Sequence, residues 1–300
     1  MKLVKLLCNI FIINMDEVIE LKKGINIWSF AKGTTIAESI KIAKQAGFEG
    51  IELALNETGQ LSLTSTEKDI AYISELLSEA ELEIAGLATG LYWDYSMTSE
   101  SEQKRIKAKD ICKKQLEIAA LLGVDSILVI PGAVGVDFIS DSEVVNYEVA
   151  YERALTAITE LSVEAKGFGV NIAIENVWNK FLVSPLEMKR FLDTINSDYV
   201  GSYFDVGNVV FNGYPEHWIE ILGRRIKKVH FKDYRRQAGG LHGFVDLLAG
   251  DVNYPAVVEA LKAIGYSNYV TAEMIPGYTH FGNQIIYNTS KSMEVILDRE

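Results

Sequence analysis

Residues 170–205, VNIAIENVWNKFLVSPLEMKRFLDTINSDYVGSYFD, hold one strand–helix–strand unit. VNIAIE (170–175) is a short apolar run of the kind that forms a buried parallel strand, and it stops at a carboxylate, Glu175. Ser184-Pro185 marks a helix start, because a proline in the first turn lacks only an N–H that has no partner there. An amphipathic segment, 184–196, leads into a second apolar run, YVGSYFD (199–205), which ends on Asp205. A strand, a helix of about three turns and a second strand in 36 residues make one βα crossover unit.

The same alternation extends in both directions. Before it lie strand candidates at 24–30, 49–55, 83–88 and 125–131, and after it at 226–231 and 268–273. Helical patterns fall at about 34–46, 65–80, 99–122, 142–167, 215–223, 254–264 and 282–298, besides 184–196. Gly47, Gly123, Gly169 and Gly265 stand where left-handed helix ends are expected, and Tyr254-Pro255 resembles another helix start. Eight strands and eight helices in strict alternation predict an α/β chain folded as a closed (β/α)8 TIM barrel. Residues 24–300 are expected to form this single catalytic domain, with 1–23 as an N-terminal extension. A doubly wound sheet is the competing architecture, but SFAKGTT after the first strand is not the Gly-rich phosphate turn it needs.

The 300 residues are 48% hydrophobic and 23% charged, and the net charge is −12. That balance supplies a large core and argues against nucleic acid or an anionic membrane surface as partner, since both call for a basic footprint. Two cysteines, Cys8 and Cys112, make neither a disulfide framework nor a Cys-rich zinc site. They fit a reducing cytosol, and the cytoplasm is the expected location. No apolar run reaches membrane-spanning length. MKLVKLLCNIFIIN (1–14) has the basic start of a signal peptide, but Asn9 interrupts the apolar stretch and no small-residue cleavage site follows. An unstructured extension or a misplaced start is the expectation there, ahead of an export signal.

Barrel chemistry gathers at the carboxyl ends of the strands. Glu175, Asp205, His230 and Glu273 close or nearly close four successive strands, 30, 25 and 43 positions apart, each spacing one βα unit. A lone acid at a strand end is ordinarily a helix cap or a solvated loop residue. Three carboxylates and an imidazole in register are different. Clustered in a partly buried mouth they would repel and stay protonated unless a cation neutralised them. Three oxygens and one nitrogen suit one divalent ion, manganese, magnesium, cobalt or zinc; manganese is the expected cofactor. Glu52, inside the second strand, either joins this mouth or forms a structural ion pair.

The strings IENVWN (174–179), YFDVGN (203–208), VHFKD (229–233) and VTAEM (270–274) resemble the xylose-isomerase-like sugar isomerase/epimerase superfamily. More narrowly they are similar to its ketose 3-epimerase branch and to the L-ribulose-5-phosphate 3-epimerase and hexulose-phosphate isomerase-like group. The resemblance runs through nearly the whole barrel. It implies that Glu175, Asp205, His230 and Glu273 are metal ligands, and that Glu175 and Glu273 double as an acid/base pair on opposite faces of a sugar. A metal-stabilised enediolate of a ketose or ketose phosphate would then be epimerised or isomerised.

The chain departs from free-ketose epimerases at two positions. Asn208 replaces a histidine three residues after the aspartate, and Phe181 replaces an acid six residues after the first glutamate. Arg236 matches the family's substrate-binding arginine. Lys232, Arg235 and Arg236 form a basic cluster after the seventh strand, where barrels often hold a phosphate. The plainer reading pairs Lys232 with a neighbouring carboxylate and leaves Arg235 to solvent. Trp28, Tyr92-Trp93 and Trp178 stand near strand ends, where rings either stack on a sugar or pack the rim. Trp28, Asn208, Lys232 and Arg236 are the substrate-binding candidates. His217, His242 and His280 carry no assigned role.

The expected partner is a small sugar or sugar phosphate, and pairing into a homo-oligomer is compatible with the resemblance. A lyase of the same superfamily, inosose dehydratase-like or acting on an oxidised glycoside, is the alternative enzyme. An AP-endonuclease-type diesterase would want more histidines than the four present. A sugar-binding module without catalysis would not need two opposed glutamates on one cation.

Overall fold

A computed structural model describes residues 20–299. The expectations for residues 1–14, Cys8 included, lie outside the described residues. The chain alternates β1 (Lys22–Asn26), α1 (Ile36–Gln45), β2 (Gly50–Leu55), α2 (Glu67–Glu79), β3 (Glu83–Thr89), α3 (Glu102–Leu122), β4 (Ser126–Val129) and α4 (Tyr147–Phe168). It continues with β5 (Asn171–Glu175), α5 (Pro185–Ile195), β6 (Val200–Asp205), α6 (Pro215–Leu222) and β7 (Ile226–Phe231). A two-stranded ribbon, β8 (Asp233–Tyr234) and β9 (Phe244–Val245), precedes α7 (Tyr254–Ala263), β10 (Tyr269–Ala272) and α8 (Gln284–Ile296).

The parallel strands close in the order β1-β10-β7-β6-β5-β4-β3-β2, so the expected TIM barrel is present. Its helices start on side chains that satisfy free backbone N–H groups. Thr35 with Glu38 and Thr66 with Asp69 form capping boxes, and Ser184 caps α5 ahead of Pro185. α3 and α4 end on Gly123 and Gly169 in the left-handed conformation. Among the described residues no helix is long and apolar enough to cross a membrane.

The largest departures from the expected boundaries fall at the first and fourth strands and at the start of the fourth helix. The first strand spans 22–26 rather than 24–30, because the Asn26 side chain accepts the Trp28 N–H and turns the chain into a 3-10 turn at 27–29. Trp28 therefore follows the strand instead of ending it. The fourth strand stops at Val129, short of 131, and the helix expected from 142 begins at Tyr147 because Asn146 caps it.

The β7–α7 connection is organised by one buried carboxylate. Asp233 accepts the backbone N–H groups of Tyr234, Leu248, Gly250 and Val252. This holds the ribbon and the returning loop against the barrel mouth.

Candidate metal centre

β5, β6 and β7 are consecutive neighbours in the wall, and β10 lies beyond β7. Asp205 pairs directly with His230 in register, while the Glu273 N–H reaches back to Phe231 O just past the end of β10. Sheet geometry alone thus brings the four expected groups to one mouth. His230 Nδ1 lies 3.2 Å from Glu175 Oε1, 3.6 Å from Glu273 Oε2 and 3.9 Å from Asp205 Oδ2. One donor atom from each of the four falls within 4.8 Å of all the others, and all four residues are buried.

Each side chain is aimed by its surroundings. Asn176 accepts the Asp205 N–H through Oδ1 and donates to Asp205 O through Nδ2, tying the end of β5 to the end of β6. The Asn208 N–H binds Asp205 Oδ1 at 2.8 Å, which leaves Oδ2 facing the cluster. Gly207 makes the close approach possible. A Cβ there would stand 2.4 Å from Lys232 Cβ and 2.9 Å from its backbone carbonyl. The glycine of the D-V-G-N string is therefore a packing requirement between β6 and β7.

The donor set fits a divalent cation. Asp205 Oδ2 and Glu273 Oε2 are buried and accept no well-aligned hydrogen bond, so both have lone pairs to give. Lys232 Nζ lies 3.2 Å from Asp205 Oδ2 and against Glu273 Oε2, as a charge contact rather than an aligned hydrogen bond. Burial pushes the Glu175 carboxyl up to about 7 and raises that of Asp205. Burial opposes the charge of His230, yet Glu52, Glu175 and Glu273 raise its pKa well above that of a free imidazole. Lys232 is likewise held charged, against its burial, by Asp205, Glu273 and Glu175. The site stores carboxylates that a cation of higher charge would accommodate.

Glu52 faces the other side of the imidazole. Its Oε2 is 2.7 Å from His230 Nε2, and its carboxylate also receives Asn26 Nδ2 and Tyr203 Oη. Of the two options the sequence leaves for it, a place in the mouth or a structural ion pair, the structure puts it one layer below the mouth. Asn26, Asn176 and Tyr203 stand out only in three dimensions, although Asn176 directly follows Glu175.

The substrate candidates are placed differently. Trp28 lines a cavity of about 670 Å³ with Phe30, Asn56, Thr58, Gln60 and Tyr278. Lys232 lies inside the acidic cluster, matching the plainer reading of its charge. Asn208 spends its amide on Asn176 O, and its own carbonyl accepts Trp178 Nε1. The Arg236 guanidinium binds Val210 O at 2.8 Å and Gly213 O at 3.3 Å, and lies over the Tyr214 ring. Arg235 donates to Ala249 O and is not merely solvated. Phe181 is buried against Tyr151 and Phe191, away from the four donors. Trp178 packs on Phe211, Tyr234 and Phe244, Tyr92 binds Gln115 in the core, and Trp93 meets Phe138 edge-on. His280 lines a second cavity of about 480 Å³, with Lys232, Glu273, Asp246 and Tyr278, that opens onto the cluster.

Known proteins are similar to this chain over most of its length. The chain is 26% identical over 288 residues to the uncharacterized protein MJ1311 of Methanocaldococcus jannaschii, covering 93% of this chain and 89% of that one. It is 24% identical over 262 residues to a putative L-ribulose-5-phosphate 3-epimerase of Haemophilus influenzae, covering 84% and 88%. An inosose dehydratase of Lacticaseibacillus casei is 23% identical over 264 residues, covering 81% and 83%. The crystal structure of D-psicose 3-epimerase in the presence of D-fructose superposes with a TM-score of 0.76 at 17% identity, over 92% of this chain and 99% of that one, a likeness of fold. With the closed barrel and the strand-end cluster in place, the match of residues 40–296 to the family model shows that the chain belongs to the xylose isomerase-like TIM barrel family.

Proposed function

We propose that this protein is a divalent-metal-dependent epimerase or isomerase of a ketose or ketose phosphate. The observation that carries the reading is the arc of four donors within 4.8 Å, with Glu175 and Glu273 on its two outer strands. Glu175, Asp205, His230 and Glu273 would hold the cation, manganese being the first choice. Such an ion, when bound, supplies Lewis-acid polarisation of a ketose carbonyl and its neighbouring hydroxyl. Placed at opposite ends of the arc, Glu175 and Glu273 can reach a sugar from opposite sides. One takes the proton from the carbon beside the carbonyl, and the other returns a proton to the opposite face. The aromatic wall of Trp178, Tyr234 and Phe244 borders the mouth and limits water at the reacting carbon.

The inosose dehydratase relative favours a second reading, in which the same proton abstraction is followed by loss of a hydroxyl from the next carbon. One experiment separates the two. Ketoses, their phosphates and an inosose are incubated with the cation-loaded protein in heavy water, and spectra are recorded after protein and metal are removed. Deuterium at carbon 3 with inversion identifies epimerisation, and deuterium at carbon 1 or 2 identifies isomerisation. A dehydrated product from an inosose identifies the lyase. No exchange and no elimination across the panel refutes both readings. The phosphate question is settled by Arg236→Ala. A KM increase confined to phosphate esters makes Arg236 a phosphate ligand, and equal losses make it a hydroxyl ligand or a loop tie.

A further inference from the structure

Below the four donors lies a buried assembly drawn from four strands. Asn26 of β1, Glu52 of β2, Tyr203 of β6 and His230 of β7 are all fully buried and share hydrogen bonds. Gly86 of β3 leaves the space for it, since a Cβ there would stand 2.7 Å from Glu52 Oε1 and 2.9 Å from Tyr203 Oη. Fully burying a carboxylate is costly, and this one is closed to solvent and lines neither of the two cavities described above. Its placement is explained by what it does to the imidazole.

The donors around Glu52 leave little freedom. Asn26 Nδ2 and Tyr203 Oη donate to the carboxylate, which can only accept. The third neighbour, His230 Nε2 at 2.7 Å, must then donate as well. With a cation in the cluster the ring is neutral, and one that carries its proton on Nε2 has its lone pair on Nδ1, which faces the oxygens of Glu175, Asp205 and Glu273. We infer that Glu52 is a positioning residue, which locks His230 in the Nε2–H tautomer and so directs Nδ1 at the cation. The inference rests on the metal-centre reading above. Carboxylate–histidine–metal chains of this kind orient the ring and raise its basicity, and losing the outer carboxylate typically costs about 10–100-fold in metal affinity.

Glu52→Gln keeps the shape but can donate as well as accept, so His230 is no longer held to one tautomer. The test uses metal-free protein titrated with Mn²⁺, with free Mn²⁺ followed by electron paramagnetic resonance, beside thermal melts in chelator. Glu52→Gln is expected to weaken Mn²⁺ binding about 10–100-fold at a temperature where the metal-free variant is still folded, although its melting temperature falls with loss of the buried Glu52–His230 pair. In the Zn²⁺-loaded, ¹⁵N-histidine-labelled wild type, one imidazole should show a slowly exchanging Nε2–H that is lost in the variant. Tyr203→Phe, which removes one of the donors to Glu52 and leaves its charge, should weaken binding less. Affinity within twofold of wild type in Glu52→Gln overturns the inference. So does an equal loss of affinity in Tyr203→Phe, which keeps the Glu52 charge and would make the assembly merely structural. A wild-type chain that binds no divalent cation overturns the metal-centre reading and this inference with it.

Discussion

Lys232→Met removes a cation from the centre of the acidic cluster and keeps most of the aliphatic stem. Lys232 Nζ sits 3.2 Å from Asp205 Oδ2, against Glu273 Oε2 and 5.6 Å over the Phe244 ring. Its side chain is 13% exposed and the two carboxylates are 0% and 5% exposed, so water screens the contact weakly. Deleting one partner of a buried ion pair costs about 3–5 kcal/mol, because the remaining charge is left uncompensated. Proton uptake by Asp205, whose carboxyl burial already raises, offsets part of this, so about 3 kcal/mol is expected at pH 8 without metal. For a domain of this size that is a fall of roughly 6–12 °C in melting temperature. The assay is scanning calorimetry in chelator and again in excess Mn²⁺. Metal should restore more stability to Lys232→Met than to wild type, since a divalent ion replaces the missing charge. A metal-free melting temperature within about 1 °C of wild type would refute the reasoning.

Glu175→Gln and Glu273→Gln should each lower kcat by about 10²–10⁴ while Mn²⁺ still binds, because an amide oxygen can ligate but cannot take a proton. Near-normal turnover at saturating metal removes that residue from the acid/base pair. Gly207→Ala should cost about 1–3 kcal/mol by calorimetry and loosen Mn²⁺, because the new methyl meets the backbone of Lys232. An unchanged melt would show that β6 and β7 can separate without loss. Cys112 is buried and its thiol is pushed up to about 12 by burial. In a Cys8→Ser background it should resist thiol reagents at pH 8 and react only as the chain unfolds. Rapid labelling of the native protein would contradict its burial.

Local pattern carries the barrel and the four donors, because every strand is a short apolar run and the donors sit at fixed places on those runs. NIAIE, GSYFD, KKVH and YVTAE can be read without knowing their neighbours. Partners chosen across the barrel cannot. Glu52 meets His230 over 178 positions of sequence, and nothing within GIELAL tells which face of β2 turns toward β7. Lys232 shows the same limit. A basic run after a strand suggests an anion site outside, whereas the close packing of Gly207 on Lys232 and the pull of Asp205 and Glu273 bring its ammonium inward. Asn208 and Phe181 were legible as departures from free-ketose epimerases. That one ties Asn176 and the other packs against Phe191 follows only from tertiary structure.

The carboxylate of Asp233 also bears on how the mouth moves. Three of its four donors, Leu248, Gly250 and Val252, lie in a connection with no helix or long strand, where amide protons ordinarily exchange within seconds. Here they share a single acceptor, so none can be released to water by a small local fluctuation of its own segment without unbalancing the others. Amide exchange at Leu248, Gly250 and Val252 should therefore be slow and correlated, as though these three belonged to a regular element. The neighbours of Asp233 in sequence, Lys232 and Tyr234, border the candidate metal centre and its aromatic wall. A loosening of this one carboxylate would therefore be felt by the charged cluster and by the rings at once.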